Sequence, residues 1–231
     1  MSLYQEGSFS LVPGVTVVVP VHNNADTLAE LARRIRAALT GRPLELLYVD
    51  DASTDGSPGI LRTLDAVVIT HARNRGQNAA VISGLAAARY PLTCVLDADL
   101  QDPPEALPRL LRALGPTHVV FSSRTEQQPA TSRLFRWILH GLFPTLPPHP
   151  CLCFAIDDAA RNRLVEAACA GDYLPALIGR LQLPAAQIAI ARGPRSSSAG
   201  LRGIQRWRYA LQMLRSAMRI RLRRVANQSS R

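Results

Sequence analysis

Short continuous runs of apolar residues alternate with amphipathic segments through the first half of the chain. Parallel strands that are covered on both faces show such continuous runs, whereas helices show apolar residues three and four positions apart. The alternation predicts a doubly wound α/β domain, with a mostly parallel sheet and helices on both faces. The predicted strands are 15–19, 44–49, 66–69, 94–96 and 118–121, and the predicted helices are 27–39, 60–64, 79–88 and 105–114.

The pattern weakens after residue 124. A loop with four prolines at 143–150 is expected to be irregular, because proline has no amide donor and restrains the residue before it. Two helices, at 158–168 and 174–181, and a strand at 187–191 are predicted. From residue 204 onwards, apolar residues at three and four spacing predict one amphipathic helix. Its apolar stripe is formed by Trp207, Leu211, Leu214, Met218, Leu222 and Val225.

The net charge of +10 is concentrated near the C-terminal end. Residues 192–231 contain 11 arginines and no acidic residue, whereas the preceding residues carry 16 basic and 17 acidic side chains. We therefore predict a globular domain over residues 1–200 and an arginine-rich amphipathic tail over residues 201–231.

Composition excludes several other classes of protein. The 231 residues, 47% of them hydrophobic, suit one domain with a sizeable core. Because no stretch reaches about 18 to 20 consecutive apolar residues and no leader pattern is present, we expect a protein that is neither secreted nor membrane-spanning. The four cysteines lack the spacing of a zinc site, and we expect them to be reduced thiols.

A cluster of polar residues follows each of the first four apolar runs. Parallel strands bring these ends to one edge of the sheet, which is where open α/β sheets bind ligands. The alternative is that the clusters only cap helices and form turns, as Asp, Asn and Ser often do. The clusters are Pro20, His22 and Asn23; Asp50 and Asp51; Arg73 and Asn74; and Asp97 and Asp99.

Asp97 and Asp99 are separated by one residue, so that both carboxylates can point to the same side of a strand end. Two hard oxygen ligands suit Mg²⁺ or Mn²⁺, which also recruit water and phosphate oxygens. Two carboxylates in one crevice would otherwise repel each other. This pair therefore predicts a divalent cation bound together with a nucleoside diphosphate.

Four strings occur in a distinctive order: "VVVPVHNNADTL", "YVDDASTDGS", "RNRGQNAAVISGL" and "LDADLQDPPE". On these strings, over roughly residues 14–124, the chain resembles family-2 glycosyltransferases of the GT-A fold. It is most similar to the polyprenyl-phosphate glycosyltransferases, such as dolichyl-phosphate mannose synthases and undecaprenyl-phosphate aminoarabinose-type transferases.

The resemblance implies a role for each matching position. It implies that the metal ligands are Asp97, Asp99 and Gln101. It also implies arginines directed toward phosphates at Arg124 and Arg133, although a surface salt bridge accounts equally well for Arg133. We take Asp99, Arg124 and His149 as catalytic candidates. The nucleotide and sugar would contact Pro20, His22, Asn23, Asp50, Asp51, Arg73, Gly76, Asp97 and Arg192.

The second half departs from the family pattern. In "PHPCLCFAI", His149 and Pro150 stand near the position of an expected acid, and Ala155 stands at that of an arginine. In "RGPRSSSAG", Ser198 replaces a lysine. These departures leave the donor site intact and place the acceptor site in question.

We expect an inverting transfer of a sugar from a UDP- or GDP-linked donor to a lipid phosphate. A phosphate monoester is already anionic near neutrality, so that no general base is needed. A hydroxyl acceptor would require a base, for which His149, Asp157 and Asp158 are the candidates.

The protein is expected at the cytoplasmic face of the cell membrane without spanning it. Residues 201–225 would contact the lipid surface or a membrane-protein partner, since arginines can reach headgroups beside an apolar stripe. A homo-oligomer is compatible with the sequence.

Three alternatives remain open at this stage. A degenerate transferase acting as a nucleotide-binding or scaffolding module would account for the altered second half. A sugar nucleotidyltransferase would share the fold class but normally has a glycine-rich N-terminal loop, which "PVHNNADTL" lacks. Nucleic-acid binding through the tail is disfavoured because spaced aromatic stacking residues are few.

Overall fold

A seven-stranded sheet forms the centre of the molecule. The computed structural model describes residues 12–115, 117–124, 130–148, 150–191 and 204–223, and at positions 124, 130–134, 136 and 204–210 it describes the backbone alone. The strands are β1 (Val15–Val21), β2 (Leu44–Asp50), β3 (Val67–Thr70), β4 (Leu92–Val95), β5 (Val119–Arg124), β6 (Phe154–Asp157) and β7 (Ala185–Ile190). The helices are α1 (Ala25–Ala38), α2 (Ser57–Leu61), α3 (Gln77–Ala87), α4 (Leu107–Ala113), α5 (Ala130–Leu142), α6 (Asp158–Ala167), α7 (Leu174–Arg180) and α8 (Ile204–Leu222), with a short 3₁₀ helix at Pro104–Ala106 before α4.

The strand order is β3-β2-β1-β4-β6-β5-β7. The pairs of β1 with β2 and β4, of β2 with β3, and of β5 with β7 are parallel, whereas β6 runs antiparallel to both of its neighbours. The chain builds outward from β1 on one side and then crosses to β4 on the other. This reversal creates a crevice between the carboxyl ends of β1 and β4, which is where open α/β sheets bind ligands.

Both faces of the sheet are covered, as the continuous apolar runs predict. Along β1, Val17 and Val19 pack with α1 and α4 in one core, whereas Val18 packs with α3 in the other. The second core also takes in α5, α6, α7 and the C-terminal helix α8. The prediction of a mostly parallel α/β sheet is confirmed.

Two elements were not predicted from the sequence, namely helix α5 and strand β6. The antiparallel direction of β6 corrects one expectation about the site. Asp157 at the end of β6 pairs with Leu92 at the start of β4, and Asp158 follows it directly. Both acids therefore lie at the opposite edge of the sheet from the crevice, and the hypothesis that either acts as a general base is wrong.

Helix α8 packs against the domain through a face other than the predicted stripe. Met213, Ala217 and Ile220 are buried, whereas Leu211, Met218 and Leu222 are 50%, 46% and 75% exposed. The helix therefore has apolar side chains on two opposite faces. None of the described helices is long and apolar enough to cross a lipid bilayer.

Candidate active site

A cavity of about 370 Å³ lies in the crevice at the carboxyl ends of the parallel strands. Residues that follow β1, β2, β3 and β4 all contribute to its wall. The polar clusters predicted to meet at one edge of the sheet therefore do meet there. The lining consists of Pro20, Val21, His22, Asn24, Asp51, Asn74, Gly76, Gln77, Ala80, Asp97, Ala98 and Asp99.

Asp97 and Asp99 share one wall of the cavity, and each is partly exposed. Ala98 between them points inward and is 4% exposed, and its carbonyl accepts a 2.5 Å hydrogen bond from the hydroxyl of Thr27 on α1. Thr27 therefore holds the backbone between the two carboxylates, both of which line the cavity.

The carboxylate pair fits a hard divalent cation, because both side chains offer oxygen ligands to the same space. Asp97 Oδ1 accepts a 2.7 Å hydrogen bond from Gln77 Nε2, and Asp99 Oδ1 accepts a 3.0 Å bond from the Gln101 amide. Within the described part of the chain, no group of three or more histidine, cysteine or acidic side chains is placed to hold a metal. Phosphate oxygens and water would therefore have to complete the coordination.

Gln101, the third predicted metal ligand, is 9% exposed and lies outside the cavity lining found among the described residues. Its backbone amide donates a hydrogen bond to Asp99 Oδ1. The assignment of its side chain as a ligand stays a prediction.

Asp51 also lines the cavity and is 2% exposed. Its Oδ1 accepts hydrogen bonds from His71 Nδ1 at 2.6 Å and from the Arg75 amide at 2.9 Å, and its Oδ2 accepts one from the Gly76 amide at 2.7 Å. Burial raises the pKa of Asp51, but the bonds from Arg75, His71 and Gly76 outweigh it, so that the pKa lies below its usual value. Asp51 is therefore a carboxylate at neutral pH.

His22 and Asn74 form a polar strip beside Asp51. The Nδ1 atom of His22 donates to the Asp51 carbonyl at 3.0 Å. Its Nε2 can then accept from Asn74 Nδ2, which lies 3.1 Å away. The two contacts fix the tautomer and the orientation of the ring, so that His22 presents a defined edge to the cavity.

Two of the predicted nucleotide contacts brace the loops around the cavity. Asn23 has a positive φ of 57°, and its Oδ1 accepts from the Thr54 amide at 2.8 Å. Asp50 is buried and its Oδ1 accepts from the Ser53 amide at 3.0 Å. Both lie outside the cavity lining formed by the described residues, and their contact with a nucleotide stays a prediction.

The remaining predicted site residues are less closely tied to the cavity. Arg73 is exposed and is not among the described residues that line it. Arg124 ends β5, and its side chain is not described, nor is that of Arg133 in α5. His149 and Arg192 lie outside the described residues.

Sequence reasoning missed Gln77 and His71. Gln77 begins α3 and reaches Asp97, and His71 lies behind Asp51. Gln77 stands inside the quoted string "RNRGQNAAVISGL", so that its position in the motif was available as a signal. His71 lies two residues before that string, where a lone histidine after a strand carries no pattern.

Solved structures place this architecture in the GT-A fold. Glucosyl-3-phosphoglycerate synthase from Mycobacterium tuberculosis, crystallised with Mn²⁺, UDP and glucosyl-3-phosphoglycerate, has a TM-score of 0.72 at 21% identity, covering 93% of this chain and 82% of that one. Mannosyl-3-phosphoglycerate synthase from Rubrobacter xylanophilus also has a TM-score of 0.72, at 20% identity, covering 95% and 79%. At this level of identity the likeness concerns the fold.

Residues 16–148 match the model of Glycosyl transferase family 2, and the chain belongs to that family. The undecaprenyl-phosphate 4-deoxy-4-formamido-L-arabinose transferase of Pseudomonas aeruginosa strain LESB58 is 42% identical over 132 residues, which is 53% of this chain and 38% of the relative. The enzyme of the same name from Edwardsiella ictaluri strain 93-146 is 38% identical over 134 residues, or 54% of this chain and 41% of the relative. The matched region thus covers about two fifths of these relatives. The predicted family is confirmed.

Proposed function

We propose that this chain transfers a sugar from a nucleoside-diphosphate sugar to a lipid phosphate, with inversion at the anomeric carbon and with Mg²⁺ or Mn²⁺ as cofactor. The observation that carries the proposal is that Asp51, Asp97 and Asp99 line one cavity at the crevice of the sheet. The Pseudomonas aeruginosa relative is named as an undecaprenyl-phosphate sugar transferase, and the Mycobacterium tuberculosis enzyme was crystallised with Mn²⁺ and UDP.

In this proposal the nucleoside lies against Pro20, His22 and Asn74, and the diphosphate extends toward Asp97 and Asp99. A divalent cation held by those two carboxylates would neutralise the negative charge that develops on the departing diphosphate. Gln77 orients the Asp97 carboxylate through its 2.7 Å hydrogen bond, while Thr27 holds the backbone between the two acids. Arg124 and Arg133 stay candidates for contacts with phosphate groups, and Arg192 stays a candidate for contact with the nucleotide or sugar.

The transfer is a single displacement. An anionic oxygen of the acceptor phosphate forms a bond to the anomeric carbon while the bond from that carbon to the diphosphate oxygen breaks, and the electron pair leaves with the diphosphate. The acceptor arrives without a proton to remove, since the second pKa of a phosphate monoester is about 6. A general base is thus dispensable, which agrees with the position of Asp157 and Asp158 at the far edge of the sheet.

Helix α8 supports a location at the cytoplasmic membrane surface. Its exposed side chains Leu211, Met218 and Leu222 lie opposite the face that packs on the domain. Beside them, Arg215 and Arg219 border a hollow of about 570 Å³. The hollow is larger than the crevice, but its lining carries cations and no carboxylate among the described residues, so it suits headgroups better than a metal-bound donor.

Thermal unfolding with uridine, guanosine and thymidine diphosphates, each with and without Mn²⁺, tests the proposal. A ligand present at about 100 times its Kd stabilises the folded state by about 2.7 kcal/mol. Replacing Asp97 with Asn should weaken metal-dependent binding at least tenfold, which removes about 1.4 kcal/mol of that stabilisation.

Asp65→Asn is the matched control. The Asp65 side chain is 98% exposed, and it lies before β3 at the edge of the sheet opposite the crevice. This variant should keep the full response to Mn²⁺. Equal metal-dependent stabilisation of the wild type and the Asp97 variant would contradict the proposed cation site. Binding of the nucleotide by the wild type without transfer to undecaprenyl phosphate would instead favour the degenerate, non-catalytic alternative.

A further inference from the structure

A largely buried chain of hydrogen bonds begins at Asp51 in the cavity wall and connects three elements. His71 directly follows β3 and is 8% exposed. Its Nδ1 lies 2.6 Å from Asp51 Oδ1, and its Nε2 lies 2.9 Å from Ser83 Oγ on α3. The imidazole ring therefore links the end of β2 to the middle of α3.

The partners of the ring fix its tautomer. A carboxylate can only accept hydrogen bonds, so Nδ1 of His71 carries the proton that it donates to Asp51. In the neutral ring Nε2 is then an acceptor, and the hydroxyl of Ser83 is its donor. The Ser83 hydroxyl thus orients the His71 ring, and the ring in turn orients Asp51, so that the three side chains form one polar chain.

The two oxygens of the Asp51 carboxylate accept different numbers of hydrogen bonds from the protein. Oδ1 accepts from His71 and from the Arg75 amide, which uses both of its lone pairs. Oδ2 accepts from the Gly76 amide and retains one lone pair. Because Asp51 lines the cavity, this remaining acceptor position is the one that a ligand donor can meet.

We propose that His71 is a positioning residue for the nucleotide cavity: it holds Asp51 so that Oδ1 anchors the Arg75–Gly76 turn and Oδ2 faces the ligand. The inference rests on the proposed function for the identity of that ligand, a nucleoside diphosphate. Gly76 precedes α3 with a φ of 88°, and Gln77 then reaches Asp97. Loss of the His71 contact would therefore disturb both the nucleoside end and the metal end of the cavity.

Three substitutions separate positioning from packing. His71→Leu removes the donor to Asp51, whereas His71→Asn keeps a donor near the place of Nδ1. Ser83→Ala removes only the outer link. His118→Leu is the matched control, because His118 Nδ1 also lies 2.6 Å from a carboxylate, that of Asp157, at the opposite edge of the sheet.

The first measurement is amide hydrogen exchange of Arg75 and Gly76 by NMR in the absence of nucleotide. His71→Leu should speed their exchange about tenfold relative to the Val18 amide, as expected for about 1.4 kcal/mol of lost protection. His71→Asn should restore most of the protection, Ser83→Ala should give an intermediate value, and His118→Leu should leave both amides unchanged.

The second measurement is nucleoside diphosphate affinity with Mn²⁺, where His71→Leu should raise Kd about tenfold and His71→Asn should stay within about threefold of the wild type. Unchanged exchange at Arg75 and Gly76 in His71→Leu overturns the inference. If that variant does not fold, unprotected amides in His71→Asn or wild-type exchange in Ser83→Ala overturn it equally. A wild type that binds no nucleoside diphosphate would refute the proposed function. The exchange data would still test whether His71 holds Asp51 in place.

Discussion

Gly84 on α3 lets this helix approach the sheet closely. A Cβ atom added there would lie 2.3 Å from Val18 Cγ1 and 3.2 Å from Val49 Cγ2. Both valines are fully buried in neighbouring central strands, β1 and β2. The position therefore requires glycine because of the space available, and we predict that Gly84→Ala destabilises the protein.

The size of the effect follows from the overlap. Non-bonded carbon atoms prefer about 3.5–4.0 Å, so α3 would have to move about 1.2 Å outward or Val18 would have to leave its rotamer. Overpacking of a buried site typically costs about 1–3 kcal/mol, and this overlap is at the severe end. Alanine recovers about 1 kcal/mol of helix propensity over glycine, which leaves a net loss of about 2 kcal/mol.

The assay is urea unfolding followed by circular dichroism, with Gly141→Ala as the control. Gly141 also lies in a helix, α5, but an added Cβ would meet nothing within 4 Å. This control should gain a few tenths to about 1 kcal/mol, since only the propensity changes. The reasoning is refuted if Gly84→Ala is as stable as the wild type, or if the two variants shift the free energy of unfolding by the same amount.

Two further predictions concern the wall of the crevice and the exposed face of α8. Thr27→Val removes the hydroxyl that donates to the buried Ala98 carbonyl, so the free energy of unfolding in urea should fall by about 1–3 kcal/mol; unchanged stability would show that the contact does not hold the strand end. Replacing both Met218 and Leu222 by Gln should lower the affinity for anionic phosphatidylserine vesicles at least about tenfold, as measured by cosedimentation, since each apolar side chain contributes about 1.5–3 kcal/mol when fully buried. Val67→Gln, at an exposed apolar site on the edge strand β3, is the control, and equal vesicle binding by all three proteins would rule out α8 as the membrane contact.

The sequence predicted the half of the fold in which local pattern and tertiary environment agree. Strands β1 and β2 are buried on both faces, so their apolar runs are continuous and unmistakable. Strand β6 has only four residues and follows a proline-rich loop, and nothing in "FAID" indicates its direction. That direction depends on how the chain returns from α5 to the sheet, which is a long-range property.

The candidate site could likewise be predicted from the sequence only in part. The topology of a parallel sheet brings Asp51, Asp97 and Asp99 together, so that their meeting could be deduced from the positions of the strands. Whether a given polar side chain faces the cavity or braces a loop depends on backbone geometry at single residues. Asn23, with its positive φ, turns toward Thr54, and no periodicity could reveal this.

Helix α8 shows how a correct pattern can leave the packing undetermined. The spacing of Leu211, Met218 and Leu222 marked one apolar stripe, but the face that packs on the domain contains Met213 and Ala217, one of which is small enough to be overlooked. Among the described residues, the buried face of α8 and the polar contacts of Ser216, Arg219 and Arg223 attach the helix to the domain. The exposed Leu211, Met218 and Leu222 do not belong to the second core. We therefore expect substitutions in the stripe to leave the free energy of unfolding nearly constant, so that the proposed membrane contact can be tested separately from the stability of the fold.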